Sequence, residues 1–302
     1  MSRHLLIIDP QNDFCDLPAT HTIHTTPALP VPGANADMQR LAQLIERAAN
    51  QIDGISITLD SHHVLDIAHP GFWQQADASP VAPFTAITAA MVRAGQYQPR
   101  QAAALPRVLS YLDRLEASAR YALMVWPQHC VIGSWGHNVH ADVQAACQSW
   151  QMQRLTNVNY VTKGENPWTE HYSAIQAEVP EADQPETQLN RALLELLAQQ
   201  EQIIIAGEAG SHCVKATTEH ILQHIGAQHI GKLVLLTDCI SPVAGFEAQY
   251  QAFLQTCANA GVRLTSSSAL LAEWQAAAST TSSAAASTTS SAASNAASAT
   301  AV

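Results

Sequence analysis

The chain is predicted to be an α/β protein with a central, mainly parallel sheet and helices on both faces. Three observations lead there. Short, unbroken apolar runs recur, among them Leu5-Leu6-Ile7-Ile8, Ile203-Ile204-Ile205 and Leu233-Val234-Leu235-Leu236, as in strands buried on both faces. Segments of helical periodicity stand between them, the alternation of βαβ units. The runs at Ile8 and Ile205 pass into polar or Gly-rich turns, Asp9-Pro10 and Gly207 to Gly210, where open α/β sheets expose functional groups.

In chain order, His4 to Asp9 reads as the first buried strand. Asn35 to Ile52 is helical, because Met38, Leu41, Leu44, Ile45 and Ala48 share one face. Ile55 to Leu59 is the second strand, Tyr121 to Val125 the third and Val158 to Thr162 the fourth. Thr187 to Leu197 is a helix with Leu189, Ala192, Leu193 and Leu196 together. A strand at 203–206, a helix from about Val214, a strand from Leu233 to Leu236, a helix through Phe246 to Ala260 and a strand from Arg263 to Thr265 complete the order. Gln74 to Ala119 fits no βα unit and reads as an insertion or lid inside one domain spanning 1–275. Residues 276–302 are almost wholly Ala, Ser and Thr and are expected to be disordered, having too little apolar surface to offset ordering.

The 302 residues with 47 % apolar content suffice for a sizeable core. A formal net charge of -11 argues against a nucleic-acid partner. The six cysteines are scattered, with no CxxC pair, so no disulfide framework is expected. No apolar run approaches membrane-spanning length, and Met1 to His4 runs straight into a strand without a signal peptide. The expectation is a soluble cytoplasmic protein acting on a small molecule, with a homo-oligomer left open. Neither GxGxxG nor GxxxxGK[ST] is present.

Cys213 follows the 203–207 strand and its Gly-rich turn, at the start of a helix. Nearby N–H groups and the helix dipole favour thiolate there. Asp9, at the end of the first strand, is either a general acid or base toward that thiol or the cap of the following turn. Lys163 ends the fourth strand, as a solvated edge charge or as a cation beside the thiolate. Asp60, His62 and His69 lie just past the second strand, and His129 past the third. Three imidazoles and a carboxylate suit a first-row divalent metal with open positions for water. His63 competes with His62 for that role.

Five segments occur in the order of one known family: Ile8 to Cys15; Asp60-Ser61-His62 with His69; Trp126 to Val131; Lys163-Gly164 with Tyr172-Ser173-Ala174; and Gly207 to Val214. Over residues 4 to about 265 the chain resembles the nicotinamidases of the isochorismatase-like cysteine hydrolases. The resemblance implies a three-layer fold and hydrolysis of a small amide through a thioester. Cys213 would be the nucleophile, Asp9 the proton shuttle and Lys163 the third catalytic member. The N–H groups of Ala209 and Cys213 would form the oxyanion hole beside a cis peptide at Glu208-Ala209. Phe14, Trp126 and Tyr172 would line a ring pocket. Asp60, His62, His69 and His129 would hold one divalent ion, zinc or else iron or manganese, that anchors the pyridine nitrogen. Nicotinamide is the expected substrate. Another small amide or ureido compound, or a non-catalytic binding role, is the alternative; vinyl-ether hydrolysis is disfavoured because it does not use this cysteine. Ser211 stands where many nicotinamidases have Asp, and Ser61 where they have an aromatic residue. The connection of roughly sixty residues between His69 and His129 exceeds the usual spacing.

Overall fold

The computed structural model describes residues 2–18 and 25–277; the expected tail therefore lies, from 278 onward, outside the described residues. The core is a parallel sheet of six strands: β1 (Arg3–Ile8), β2 (Gly54–Asp60), β7 (Asn159–Lys163), β8 (Gln202–Gly207), β9 (Leu233–Leu236) and β10 (Arg263–Thr265), in the order β10-β9-β8-β1-β2-β7. The register pairs Leu5 with Ile55 and Ile204, and Ile57 with Tyr160. Leu5 to Ile8 and Ile203 to Ala206 are buried throughout, as central strands covered on both faces require.

The α/β class and the parallel sheet are as expected. From β1 the chain steps outward through α1 (Ala34–Arg47) to β2 and through α4 (Ala141–Arg154) to β7, and α1 packs against α4. It then crosses to the other side of β1, through α5 (Arg191–Ala198) to β8, and steps outward again through α6 (Cys213–His224) and α7 (Glu247–Ala260), which pack together. Right-handed crossovers in opposite directions put the two helix sets on opposite faces. They also place the topological switch point at the carboxyl ends of β1 and β8. Asp9 and Cys213 are the groups found there.

One expectation changes. The run 121–125 is not a strand of the central sheet. Only Leu123–Val125 is extended (β6), and it pairs antiparallel with β4 (Thr85–Ile87). Residues 74–119 are a small folded region: β3 (Trp73–Gln75) pairs with β5 (Tyr97–Pro99), and α2 (Ala89–Arg93) and α3 (Leu105–Ala117) complete it. Val108, Tyr111, Leu112 and Leu115 of α3 are buried. After β10 a further helix, α8, occupies residues 267–277 and buries Leu270, Leu271 and Trp274.

Candidate active site and metal centre

The reactive groups converge because neighbouring parallel strands end together. Asp9 leaves β1 with a left-handed φ of 42°. Its N–H and carboxylate are both tied to Thr58 of β2, with Thr58 Oγ1 donating to Asp9 Oδ1 at 2.6 Å. Lys163, the last residue of β7, places Nζ 2.9 Å from both Asp9 Oδ2 and Asp60 Oδ1. It also donates to His171 O at 3.0 Å and lies 3.6 Å from Cys213 Sγ. Lys163 is 3 % exposed and Asp9 0 %, so this ammonium is a buried counter-ion for two carboxylates rather than an edge charge. Gly207 makes the juxtaposition possible: at φ 120°, a Cβ there would stand 2.0 Å from Ile8 O.

The thiol departs from the sequence-based expectation of a ready thiolate. Cys213 is the first residue of α6, with Lys163 beside it. Burial nevertheless pushes its pKa well above the usual thiol range, further than Lys163 pulls it down. Asp9 is also raised, by burial first and by Asp60, against the opposing pull of Lys163. Burial thus disfavours the charged form of both groups, against the pull of Lys163.

The turn before Cys213 contains a cis Glu208-Ala209 peptide. Its outer side is fixed: Gly207 N–H donates to Cys239 O at 3.0 Å, Glu208 N–H to Ile8 O at 2.7 Å and Gly210 N–H to Ser241 O at 2.8 Å. The N–H groups of Ala209 and Cys213 meet no acceptor among the described residues. Ser211, where many nicotinamidases carry Asp, accepts from Val243 N–H at 3.1 Å and bonds His212 Nδ1 at 2.9 Å. Ser61 instead bonds His137 Nε2 at 2.9 Å.

Asp60, His62, His69 and His129 come together despite the long connection. The rings of His62, His69 and His129 lie 4.8 to 5.2 Å apart between centroids, and one nitrogen of each falls within 4.8 Å of the others. Asp60 Oδ2 is 3.1 Å from His62 Nε2 and 3.4 Å from His129 Nε2. His63 is exposed and Cys130 belongs to no such group. The donor set fits a divalent cation. Burial and the neighbouring imidazoles push His69 down to about 2, so the ring is neutral as a ligand would need to be, and its Nδ1 is buried without a hydrogen-bond partner. For His62, burial lowers the pKa, but Asp60 and Asp66 together raise it well above the usual value; a bound cation would replace that ring proton.

Several residues of the site carried no role in the sequence reading. Asp66 Oδ2 receives His62 Nδ1 at 2.9 Å, while its Oδ1 accepts Ala68 N–H at 2.8 Å. The i, i+4 spacing from His62 was the available signal. The Gln11 amide acts like a strand edge, donating to Asp60 O at 2.8 Å and accepting Asp60 N–H at 2.7 Å. Glu170 is buried, keeps Oε2 without a partner, and is raised to about 8 by burial. His212 is packed among Trp126, Tyr172 and Phe246.

Phe14, Trp126 and Tyr172 join Leu29, Asp60, His129, Glu170, Ala209, His212, Cys213 and Val243 around one cavity. Trp126 Nε1 donates to Tyr172 Oη at 3.0 Å. The cavity measures only about 20 Å³. A larger hollow of about 340 Å³ reaches Lys163 and His171 from the far side, near α5, but the thiol does not line it.

No family model matches the chain, and no curated protein matches it. Solved structures do. An Acinetobacter nicotinamidase/pyrazinamidase superposes with a TM-score of 0.59 at 18 % identity, covering 89 % of this chain and 98 % of that one. The yeast nicotinamidase bound to the inhibitor nicotinaldehyde gives 0.58 at 18 %, covering 87 % and 99 %. An L. infantum protein in complex with nicotinate gives 0.54 at 20 %, covering 89 % and 94 %. Among the described residues no helix is long and apolar enough to cross a membrane. At these identities the likeness is one of architecture: the chain has the three-layer, isochorismatase-like α/β fold in which solved nicotinamidases are built.

Proposed function

We propose that the protein is a metal-containing cysteine amidohydrolase that converts nicotinamide to nicotinate and ammonia. One observation carries the reading: Cys213, Asp9 and Lys163 meet in a single buried contact set beside the Asp60/His62/His69/His129 cluster, and one cavity touches both. Asp9 takes the thiol proton as Cys213 Sγ attacks the amide carbon. The N–H groups of Ala209 and Cys213 receive the developing oxyanion. Asp9 gives its proton to the leaving nitrogen, ammonia departs, and a thioester remains. Asp9 then takes a proton from water, whose oxygen attacks the thioester; the acid forms and the thiol recovers its proton. Lys163 keeps Asp9 in place and offsets negative charge throughout. When bound at the cluster, a divalent ion, zinc or else iron or manganese, supplies a Lewis-acidic position for a ring nitrogen. Phe14, Trp126 and Tyr172 would flank the ring, and residues 74–119, whose β4 pairs with β6, would form the lid of one domain spanning 1–275.

The size of the cavity favours a second reading, hydrolysis of a smaller aliphatic amide or ureido compound by the same thiol. Ammonia release from nicotinamide, aliphatic amides and carbamoyl compounds, with zinc-loaded and chelator-treated protein, separates the two. Nicotinamide is expected to give the highest kcat/KM. Release from none of the panel would leave a non-catalytic binding role in its place.

A further inference from the structure

We propose that Glu208 and Asp37 form a proton-sharing carboxyl pair that positions the turn bearing the Ala209 and Cys213 N–H groups. The inference rests on the hydrolase reading for its consequence, but not for its geometry. Glu208 directly follows β8 and is 0 % exposed. Its Oε2 accepts Ser241 N–H at 3.1 Å, and its Oε1 is buried with no donor facing it. Asp37, in the first turn of α1, is 2 % exposed. Asp37 Oδ2 accepts the Ser241 hydroxyl at 2.6 Å, and Oδ1 pairs with Arg40. The two carboxyl groups thus meet at one residue, Glu208 on the Ser241 N–H and Asp37 on its hydroxyl.

Two carboxylates are acceptors only, so two buried ones brought to a single residue call for a proton between them. Asp37 already receives a guanidinium and a hydroxyl. Glu208 carries the proton, and its Oε1, buried with no donor facing it, is the oxygen free to hold it. Burial first, and Asp37 next, hold the Glu208 pKa well above the usual carboxylate range. Asp37, Arg40, Asp16, Cys15, Tyr250 and Asp238 are the charged and titratable groups around the pair. With Arg40 against Asp37, the trio Asp37, Arg40 and protonated Glu208 is neutral.

The pair reaches the turn through Ser241. Both carboxyls bracket that residue, and Ser241 O accepts Gly210 N–H at 2.8 Å. Gly33 brings α1 close enough for this, since a Cβ there would lie 2.9 Å from Ser241 Oγ. Ionising Glu208 would set two negative charges against each other and shift Ser241, and with it Gly210 and the adjoining N–H donors.

The test compares the full-length, zinc-loaded wild type with Glu208→Gln and Glu208→Leu. The glutamine amide keeps the Ser241 contact without titrating. Urea unfolding is followed from about pH 5 upward, above the ordinary Glu value of 4.5, where the folded pair would keep a proton that unfolded Glu208 has lost. The wild-type folding constant is expected to fall up to about tenfold more per pH unit than that of E208Q. Parallel profiles would overturn the shared proton. On nicotinamide, or on the best amide of the panel, E208Q should keep kcat within about threefold. E208L should lose about tenfold or more in kcat with KM little changed, as misplaced oxyanion donors imply. A wild-type kcat in E208L would overturn the positioning role. Should E208L not fold, Ser241→Ala, which removes only the hydroxyl bond to Asp37, takes its place with the same expected loss. If the wild type hydrolyses no amide, the hydrolase reading fails, and the unfolding comparison still decides whether the pair exists.

Discussion

Asp66→Asn changes one oxygen of the site to an NH₂ group. In the wild type, Asp66 accepts from His62 Nδ1 at 2.9 Å and from Ala68 N–H at 2.8 Å. That arrangement puts the proton on Nδ1 and leaves Nε2 free to ligate, 3.1 Å from Asp60 Oδ2. Asparagine can satisfy only one of the two donors. If its oxygen stays on Ala68, its NH₂ faces Nδ1 and drives the ring to the other tautomer, with a proton on the ligating nitrogen. If the oxygen turns to His62, the buried Ala68 N–H loses its acceptor, at about 1–3 kcal/mol. Either outcome weakens metal binding by about 10- to 100-fold, the range for outer-sphere carboxylates on metal-bound histidines. The assay is a competition titration of zinc against a chelator, with circular dichroism to verify the fold. A zinc affinity within about twofold of wild type would refute the tautomer argument. A wild type that binds no divalent ion would refute the metal centre itself.

Three further outcomes are expected. Cys213→Ala should lower amide turnover about 10⁴-fold or more while leaving zinc content unchanged by elemental analysis; turnover of a tenth of wild type would exclude the thiol as nucleophile. Lys163→Met strands the buried carboxylates of Asp9 and Asp60 and should cost about 3–5 kcal/mol in urea unfolding, a loss that a merely solvated lysine would not produce. His4 is 5 % exposed and is lowered to about 4 by burial. Its contribution is complete above the unfolded value near 6.5 and is lost as pH falls through 4. The stability of His4→Leu should therefore decline less steeply below about pH 6.5, by up to about 1.4 kcal/mol per pH unit; identical slopes would contradict a neutral buried imidazole.

Much of this arrangement is legible in the chain. Leu5 to Ile8 and Ile203 to Ile205 announce central parallel strands because nothing polar interrupts them. The rule that α/β sites gather at strand ends then brings Asp9, Lys163 and Cys213 into one neighbourhood. The run at 121–125 misleads because Leu123 and Val125 are equally apolar in a two-stranded antiparallel pair, and partner choice leaves no mark on so short a segment. Helix α4 leaves a weak pattern, since its buried face is Val143, Ala146, Cys147 and Trp150, two of them small. The state of the Cys213 thiol is not a local property: burial by the surrounding elements outweighs the helix start and Lys163. The service of Asp66 to His62 and the meeting of Glu208 and Asp37 at Ser241 are likewise matters of side-chain direction, which spacing alone does not report.

The narrow cavity beside Cys213 has a kinetic meaning. Its volume of about 20 Å³ accommodates roughly one water, so an aromatic amide enters only after Phe14, Leu29, Trp126, His212 or Val243 has moved aside. Where the admitting form is a minority of the population, apparent affinity is scaled down by that fraction. A bulky thiol reagent would inactivate at a rate that levels off with concentration, its plateau being the opening rate, while a reagent little larger than water would show no ceiling. The aromatic shell thus works as a clock as well as a wall, and ligand size decides whether the protein's own motion or the chemistry at sulfur sets the pace.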